Sequence, residues 1–213
     1  MEGREVQTRA ILDLVDSLPR DGGRVVLGIA GPPGSGKSTI AAAVVAALNA
    51  RGNRADAAGL VPMDGFHLDN EELDARNLRA VKGAPETFDV IGFGNLLRRL
   101  RDDRSVIRYP LFSRTEDRTL PGCGELPPDR RIVVVEGNYL LLGIEGWSSF
   151  KPLFDATVML SPPMDVLEER LIARWLQYGL PHEQALARAR LNDLANARRV
   201  LAESITADLT LPA

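Results

Sequence analysis

Val6, Ala10, Leu14 and Leu18 recur every fourth residue, with Ile11 and Val15 beside them. That spacing predicts an amphipathic helix, ended by Pro19 and an Asp21-Gly22-Gly23 turn. The pattern then changes. Residues 24–30 form an unbroken Val/Leu/Ile-rich run, expected of a strand buried on both faces. A glycine-rich stretch follows, then an alanine-rich helix over 39–49 that stops near Gly52. Residues 55–63 predict a second strand, weakened by Pro62 near its end. Helical spacing returns over 88–100, with Val90, Phe93, Leu97 and Leu100 on one face and Asp89 placed to cap the start. Residues 105–128 mix Arg, Tyr, Pro and Gly without a period and predict an edge strand plus a long functional loop. Residues 132–135 and 156–160 predict two more buried strands. Ser161-Pro162-Pro163 opens a long helical region with proline in its first turn. Gly179-Leu180-Pro181 interrupts that region, a second helix runs to about Ser204, and 208–211 predict a last short strand.

Five strands alternating with helices predict an α/β fold: a parallel five-stranded sheet covered by helices on both faces, three layers in all. No repeat or low-complexity linker divides the chain, so residues 1–213 are expected to form one domain.

Composition narrows the functional classes. A hydrophobic fraction of 45% and a charged fraction of 26% are those of a globular protein. The net charge is -3 and there is no long basic run, so neither nucleic acid nor a membrane surface is an expected partner. The longest apolar run, 40–48, is far below the roughly 20 residues of a membrane span. The N-terminus does not read as a signal peptide. Cys123 is the only cysteine, which fits a cytoplasmic location, and with His67 and His182 the only histidines a zinc site is not expected.

The strongest chemical signal is Gly31-Pro32-Pro33-Gly34-Ser35-Gly36-Lys37-Ser38, which satisfies G-x-x-x-x-G-K-[ST] between a predicted strand and a predicted helix. Glycines at such positions let backbone N–H groups turn inward to cradle phosphate oxygens. Gly31, Gly34, Ser35, Gly36, Lys37, Ser38 and Thr39 are therefore the expected nucleotide contacts. Lys37 supplies a charge near the outer phosphates, the Ser38 hydroxyl can ligate Mg2+, and the positive end of the helix dipole adds to both. No guanine-recognition N-K-x-D string and no L-S-G-G-Q string is present, which favours a small kinase over a GTPase switch or a transporter ATPase.

Two acids fall at predicted strand ends, the side on which open parallel sheets bind ligands. Asp64 closes the second strand and Glu136 closes the 132–135 run. Phosphoryl transfer needs a carboxylate to accept the proton of the attacking hydroxyl and another to hold magnesium. Asp64 suits the first role and Glu136 the second.

These motifs, with Met63-Asp64-Gly65-Phe66-His67, Lys82-Gly83-Ala84-Pro85-Glu86-Thr87-Phe88-Asp89 and Val135-Glu136-Gly137-Asn138-Tyr139-Leu140, resemble the phosphoribulokinase, uridine kinase and bacterial pantothenate kinase family. The Lys82–Asp89 string resembles pantothenate kinases. The short chain and the D-G-F-H form are closer to fructokinase-like proteins associated with fructose transport. The resemblance implies a nucleoside-monophosphate-kinase-like core of the P-loop nucleoside-triphosphate hydrolase fold, an acid at Asp64 serving as base, and a possible homodimer. It also implies substrate contacts around His67, Lys82 and the Arg108-Tyr109-Pro110-Leu111-Phe112-Ser113-Arg114 segment, and places Asn192 and Asn196 near the nucleotide base.

Arg170 and Arg174 lie one turn apart on a predicted helix with no carboxylate of that helix at i±3 or i±4. Such a pair is unfavourable unless an anion or a tertiary partner neutralises it. Both are candidate catalytic residues on a helical lid of about 163–181, whose edge Gly179 and Pro181 would mark. The expected activity is ATP- and Mg2+-dependent phosphorylation of a hydroxyl on a small metabolite, such as fructose or uridine. A pantothenate-type kinase, or a nucleotide-gated regulatory or transport-coupled module without an acceptor, remains the alternative.

Overall fold

The structure is a computed structural model that describes residues 2–20 and 23–212; Asp21 and Gly22 of the expected turn lie outside the described residues. The chain runs α1 (Glu2–Ser17), β1 (Val25–Ala30), α2 (Lys37–Ala50), β2 (Ala58–Pro62), α3 (Asn70–Ala75) and α4 (Val90–Asp102). It continues with β3 (Ile107–Ser113), β4 (Arg118–Leu126), β5 (Ile132–Gly137), β6 (Ala156–Leu160), α5 (Met164–Gln177), α6 (His182–Arg188), α7 (Leu194–Glu203) and β7 (Leu209–Leu211). A π-helical segment, Ala189–Asp193, joins α6 to α7.

Five strands form one sheet in the order β2-β5-β1-β6-β7, and every pairing is parallel. Residue alternation splits the core. Val25, Leu27 and Ile29 of β1 pack with Ile11 and Val15 of α1 and Ile40, Val44 and Leu48 of α2. Val26 and Ala30 face the other way, onto Phe93, Leu97 and Leu100 of α4 and an aromatic cluster that includes Tyr139, Trp147 and Phe150. Both faces are thus covered, which suits a strand such as β1 that is buried at every position. The buried line of α1 runs through Ile11 and Val15 rather than the expected Val6 row; Val6 is 67% exposed.

The register places the site. Ile29 of β1 pairs with Glu136 of β5, and Glu136 pairs with Pro62 of β2. The residues that follow these three strands therefore leave the sheet at one edge and share one crevice.

Residues 105–128 depart from the expectation of an edge strand plus loop. β3 and β4 form an antiparallel hairpin, a separate two-stranded sheet, with a register shift between Tyr109 and Leu111. Pro110 sits at that shift, where an absent N–H removes no ladder bond. The base of the hairpin is anchored in the core by Ile107, Tyr109 and Leu126, all at most 7% exposed. The Tyr109 hydroxyl donates to the Leu60 carbonyl at 2.8 Å, tying the hairpin to β2.

Candidate active site

Gly34 and Gly36 hold φ of 81° and 86°, values that L side chains rarely adopt. They turn the loop so that α2 begins at Lys37 with no side-chain cap on its N-terminus. The free N–H groups of that first turn, with Lys37, Ser38 and Thr39, line a cleft of about 990 Å3. An uncapped helix N-terminus beside a lysine is a site for an anion, and the loop residues present fit a nucleoside triphosphate. Gly31 and Ser35 differ from the other predicted contacts. They lie under the loop: a Cβ on Gly31 would come within 2.6 Å of the Ser35 hydroxyl, and the Ser35 N–H donates to the Pro32 carbonyl at 3.1 Å. They shape the loop and do not line the cleft.

Glu136 is 5% exposed. Burial pushes its carboxyl above the usual carboxylate range, while the Lys37 ammonium and the Ser38 hydroxyl oppose that rise. Burial also lowers Lys37, opposed by Glu136 and Asp64. No group of three or more His, Cys, Asp or Glu among the described residues forms a metal cage. The Ser38 hydroxyl and the Glu136 carboxylate, hydrogen-bonded to each other, are oxygen donors of the kind of which Mg2+ takes one or two, keeping water and phosphates as its other ligands.

Asp64 lies on a short 3-10 turn, Met63–Phe66, immediately after β2, and lines the same cleft. Its Oδ2 accepts from Arg114 Nη2 at 2.6 Å. The hairpin reaches this turn because Gly65 permits it: a Cβ there would sit 1.9 Å from the Pro110 carbonyl oxygen. His67 closes the turn. Its Nδ1 is 2.8 Å from the Asp64 carbonyl, and its ring packs between Phe88 and Phe112 at 4.1 and 4.5 Å between centroids. A carbonyl accepts only, so Nδ1 carries the proton and Nε2 is left as an acceptor in the neutral ring. Burial lowers the His67 pKa.

The Lys82–Asp89 string forms a rigid loop over the cleft. The buried Thr87 hydroxyl accepts from the Gly83 N–H and donates to the Ala84 carbonyl, at 2.9 and 2.7 Å. The Tyr139 hydroxyl donates to the Gly83 carbonyl, and Glu86 pairs with Arg199 of α7 at 2.8 Å. Lys82 itself is 8% exposed and is not a free substrate ligand as expected. Its ammonium donates to Asn70 Oδ1 and to the Asp117 carbonyl and carboxylate, at 2.7, 2.8 and 2.9 Å. Three donors meet three acceptors, so Lys82 builds the wall. Two further expectations for the Arg108–Arg114 string are corrected. Arg108 is on the outer hairpin face, paired with Glu125 at 2.9 Å, and Tyr109 is in the core; neither lines the cleft. Arg114 does.

Helix α5 rests on the phosphate loop, with Leu171 Cγ 3.1 Å from where a Gly34 Cβ would stand. Arg170 and Arg174 both reach the cleft. Arg170 Nη1 is 3.5 Å from the Gly34 carbonyl, and Arg174 pairs with Asp193 at 3.2 Å, the tertiary partner that α5 itself lacks. Asn192 and Asn196 also line the cleft, but Asn192 is bound to the wall, its Nδ2 donating to the Lys82 carbonyl at 2.9 Å. Sequence reasoning passed over Asn138, Trp175 and Arg188 as cleft residues. Asn138 had a signal, two residues past Glu136, and its buried Oδ1 has no partner. Arg188 had none, being one exposed arginine among many.

The family model for methylmalonyl Co-A mutase-associated GTPase MeaB matches residues 2–67, the stretch from α1 to just past Asp64. A Schizosaccharomyces pombe protein named "Putative uridine kinase C227.14" is 36% identical over 198 residues, covering 88% of this chain and 83% of that one. A pantothenate kinase of Mycolicibacterium gilvum is 33% identical over 153 residues, covering 71% of this chain and 48% of its own length. Among solved structures, a "putative fructose transport system kinase" from Silicibacter sp. TM1040 superposes with a TM-score of 0.89 at 45% identity, covering 98% of both chains. The chain belongs to the phosphoribulokinase, uridine kinase and pantothenate kinase family of P-loop kinases.

Proposed function

We propose that this kinase transfers the γ-phosphoryl group of ATP to an alcohol of a small metabolite the size of a sugar or nucleoside, in the range of fructose or uridine. The observation that carries the reading is the shared cleft: the Asp64 carboxylate and the uncapped N-terminus of α2 line one cavity. A pure nucleotide sensor has no use for a carboxylate at that place.

In this reading the amides of residues 36–39 and the Lys37 ammonium hold the triphosphate. Asp64 accepts the proton of the acceptor hydroxyl while its oxygen bonds to the γ-phosphorus. The bond from that phosphorus to the β,γ-bridging oxygen breaks, and ADP leaves. Arg114 donates to Asp64 Oδ2 and so orients the carboxylate that takes the proton. Ser38 and Glu136 would hold Mg2+, which when bound neutralises charge on the phosphates. Arg170 and Arg174 draw negative charge from the transferring group as α5 closes, and Gly179, at φ 84°, is the hinge of that lid. The whole chain acts as a single kinase domain.

ADP release from ATP and Mg2+, measured with fructose, uridine, pantothenate or no acceptor, tests the reading. Acceleration by a hydroxylated acceptor supports it. Tight ATP binding with no acceleration by any acceptor would replace it with a nucleotide-gated module.

A further inference from the structure

Six basic side chains line the cleft, Lys37, Lys82, Arg114, Arg170, Arg174 and Arg188, against three acids. Each acid is already engaged: Asp64 with Arg114, Asp117 with Lys82, and Asp193 with Arg174. Lys37 faces buried Glu136, and Arg170 hangs over the phosphate loop at the Gly34 carbonyl. Those two sit where the triphosphate belongs. Arg188 remains.

Among the described residues no carboxylate pairs with Arg188 and no acceptor takes its N–H groups; its guanidinium lies over an aromatic ring, with Cζ 5.1 Å from the centroid of Trp175. That ring is itself fixed. Its Nε1 donates to Asp193 at 2.6 Å, and Arg174 lies 5.3 Å from its centroid. A guanidinium seated on an aromatic face is oriented while its donors stay available for a planar oxyanion. The local fold directs it to one side of the cleft. The π-helical turn that follows, closed by the Leu194 N–H on the Ala189 carbonyl, leaves Arg188 and Asn192 both facing the cleft. Asn192 bonds the Lys82 carbonyl, so this strip adjoins the wall built by Lys82, Asn70 and Asp117, with Trp175 of α5 on its other side. Insertions of this kind recur where a helix serves a site.

We infer that Arg188 recognises an anionic group on the phosphate acceptor, so that the metabolite carries a carboxylate or phosphate in addition to the hydroxyl that is phosphorylated. A neutral acceptor would leave this oriented, exposed guanidinium to water, whereas an oxyanion gains charge-assisted bonds to it. The inference rests on the phosphotransferase reading above, and makes Arg188 a specificity-determining residue.

The test pairs acceptors of matched size in a steady-state ADP-release assay. Glycerate and pantothenate carry the carboxylate, ribose 5-phosphate and fructose 6-phosphate carry the phosphate, and fructose and uridine are neutral. The expected result is turnover of at least one anionic acceptor with kcat/KM more than about tenfold above the neutral compounds, the worth of one charge-assisted hydrogen bond. Arg188→Gln should raise the KM of that acceptor about tenfold or more, leave the KM of ATP within about twofold, and keep the thermal midpoint; Arg188→Lys should fall between. The pattern across carboxylates and phosphates identifies which oxyanion is read. Equal or better turnover of fructose or uridine overturns the inference and leaves the kinase reading standing. So does an Arg188→Gln variant that weakens ATP and acceptor alike, or ATP alone. No acceleration by any acceptor removes the underlying reading instead, and the inference with it.

Discussion

Arg114 donates to Asp64 across fifty residues of chain, Nη2 to Oδ2 at 2.6 Å, and so links the tip of the β3–β4 hairpin to the turn that ends β2. Removing the charge while keeping the shape of this carboxylate isolates its chemistry. Asp64→Asn should lower kcat by roughly a hundredfold or more, the scale of general base catalysis, with the Kd of ATP within about threefold of wild type. Titration calorimetry and a coupled ADP assay read the two quantities. Near-normal turnover would take Asp64 out of the mechanism.

Gly65 makes the same link possible by having no side chain. In Gly65→Ala the new methyl would stand 1.9 Å from the Pro110 carbonyl oxygen, a backbone atom that cannot rotate away. The hairpin must move, and Arg114 with it. The expected outcome is a loss of about 1–3 kcal/mol in urea denaturation, the usual cost of overpacking. Acceptor kcat/KM should fall by more than about tenfold with ATP affinity retained, because misplacement of a positioning group by about 1 Å is costly. Unchanged kinetics would show that the hairpin tip does not orient Asp64.

Lys82 is a strut, and its replacement should read out in stability. Lys82→Met keeps the apolar stem but strands Asn70 Oδ1 and the Asp117 oxygens that the ammonium satisfies. A loss of about 2 kcal/mol is expected, reduced from the fully buried case because Asp117 is half exposed. For a chain of this size that corresponds to a fall of roughly 4–8 °C in Tm. A large rise in acceptor KM with Tm unchanged would return Lys82 to the role of substrate ligand.

His67 gives a pH signature. Its folded pKa lies below the ordinary value of 6.5 because the half-buried ring is partly desolvated between its aromatic neighbours. The unfolded chain therefore takes up a proton first, and stability is lost as pH falls through 6.5 toward the folded value. The slope in that window should reach up to about 1.4 kcal/mol per pH unit. His67→Gln should flatten it, as measured by urea unfolding at pH 7, 6 and 5. An identical slope in the variant would place the acid sensitivity elsewhere.

The sheet and the phosphate machinery were legible because they are local. Gly31 to Ser38 announce their backbone geometry directly, and Asp64 and Glu136 are readable as acids ending apolar runs. The hairpin was not, since only its base is buried and Pro110, Pro121, Gly122 and Gly124 break any alternation. Lys82 was misread because its partners Asn70 and Asp117 lie 12 and 35 residues away, and no spacing rule reaches that far. Arg174 carried half a signal: the missing carboxylate on its own helix was visible, the tertiary partner Asp193 was not.

Because β3 and β4 pair only with each other, the cleft wall formed by Phe112, Arg114 and Asp117 hangs on the five-stranded sheet as an appendage. Its mostly exposed outer part, residues 113–123, can be lengthened, shortened or recoloured with charge while the five-stranded sheet keeps every one of its ladder bonds. Descent within such a lineage can thus reshape one wall of the cleft by rewriting a single ribbon, with the strands beneath the phosphate loop left as they were.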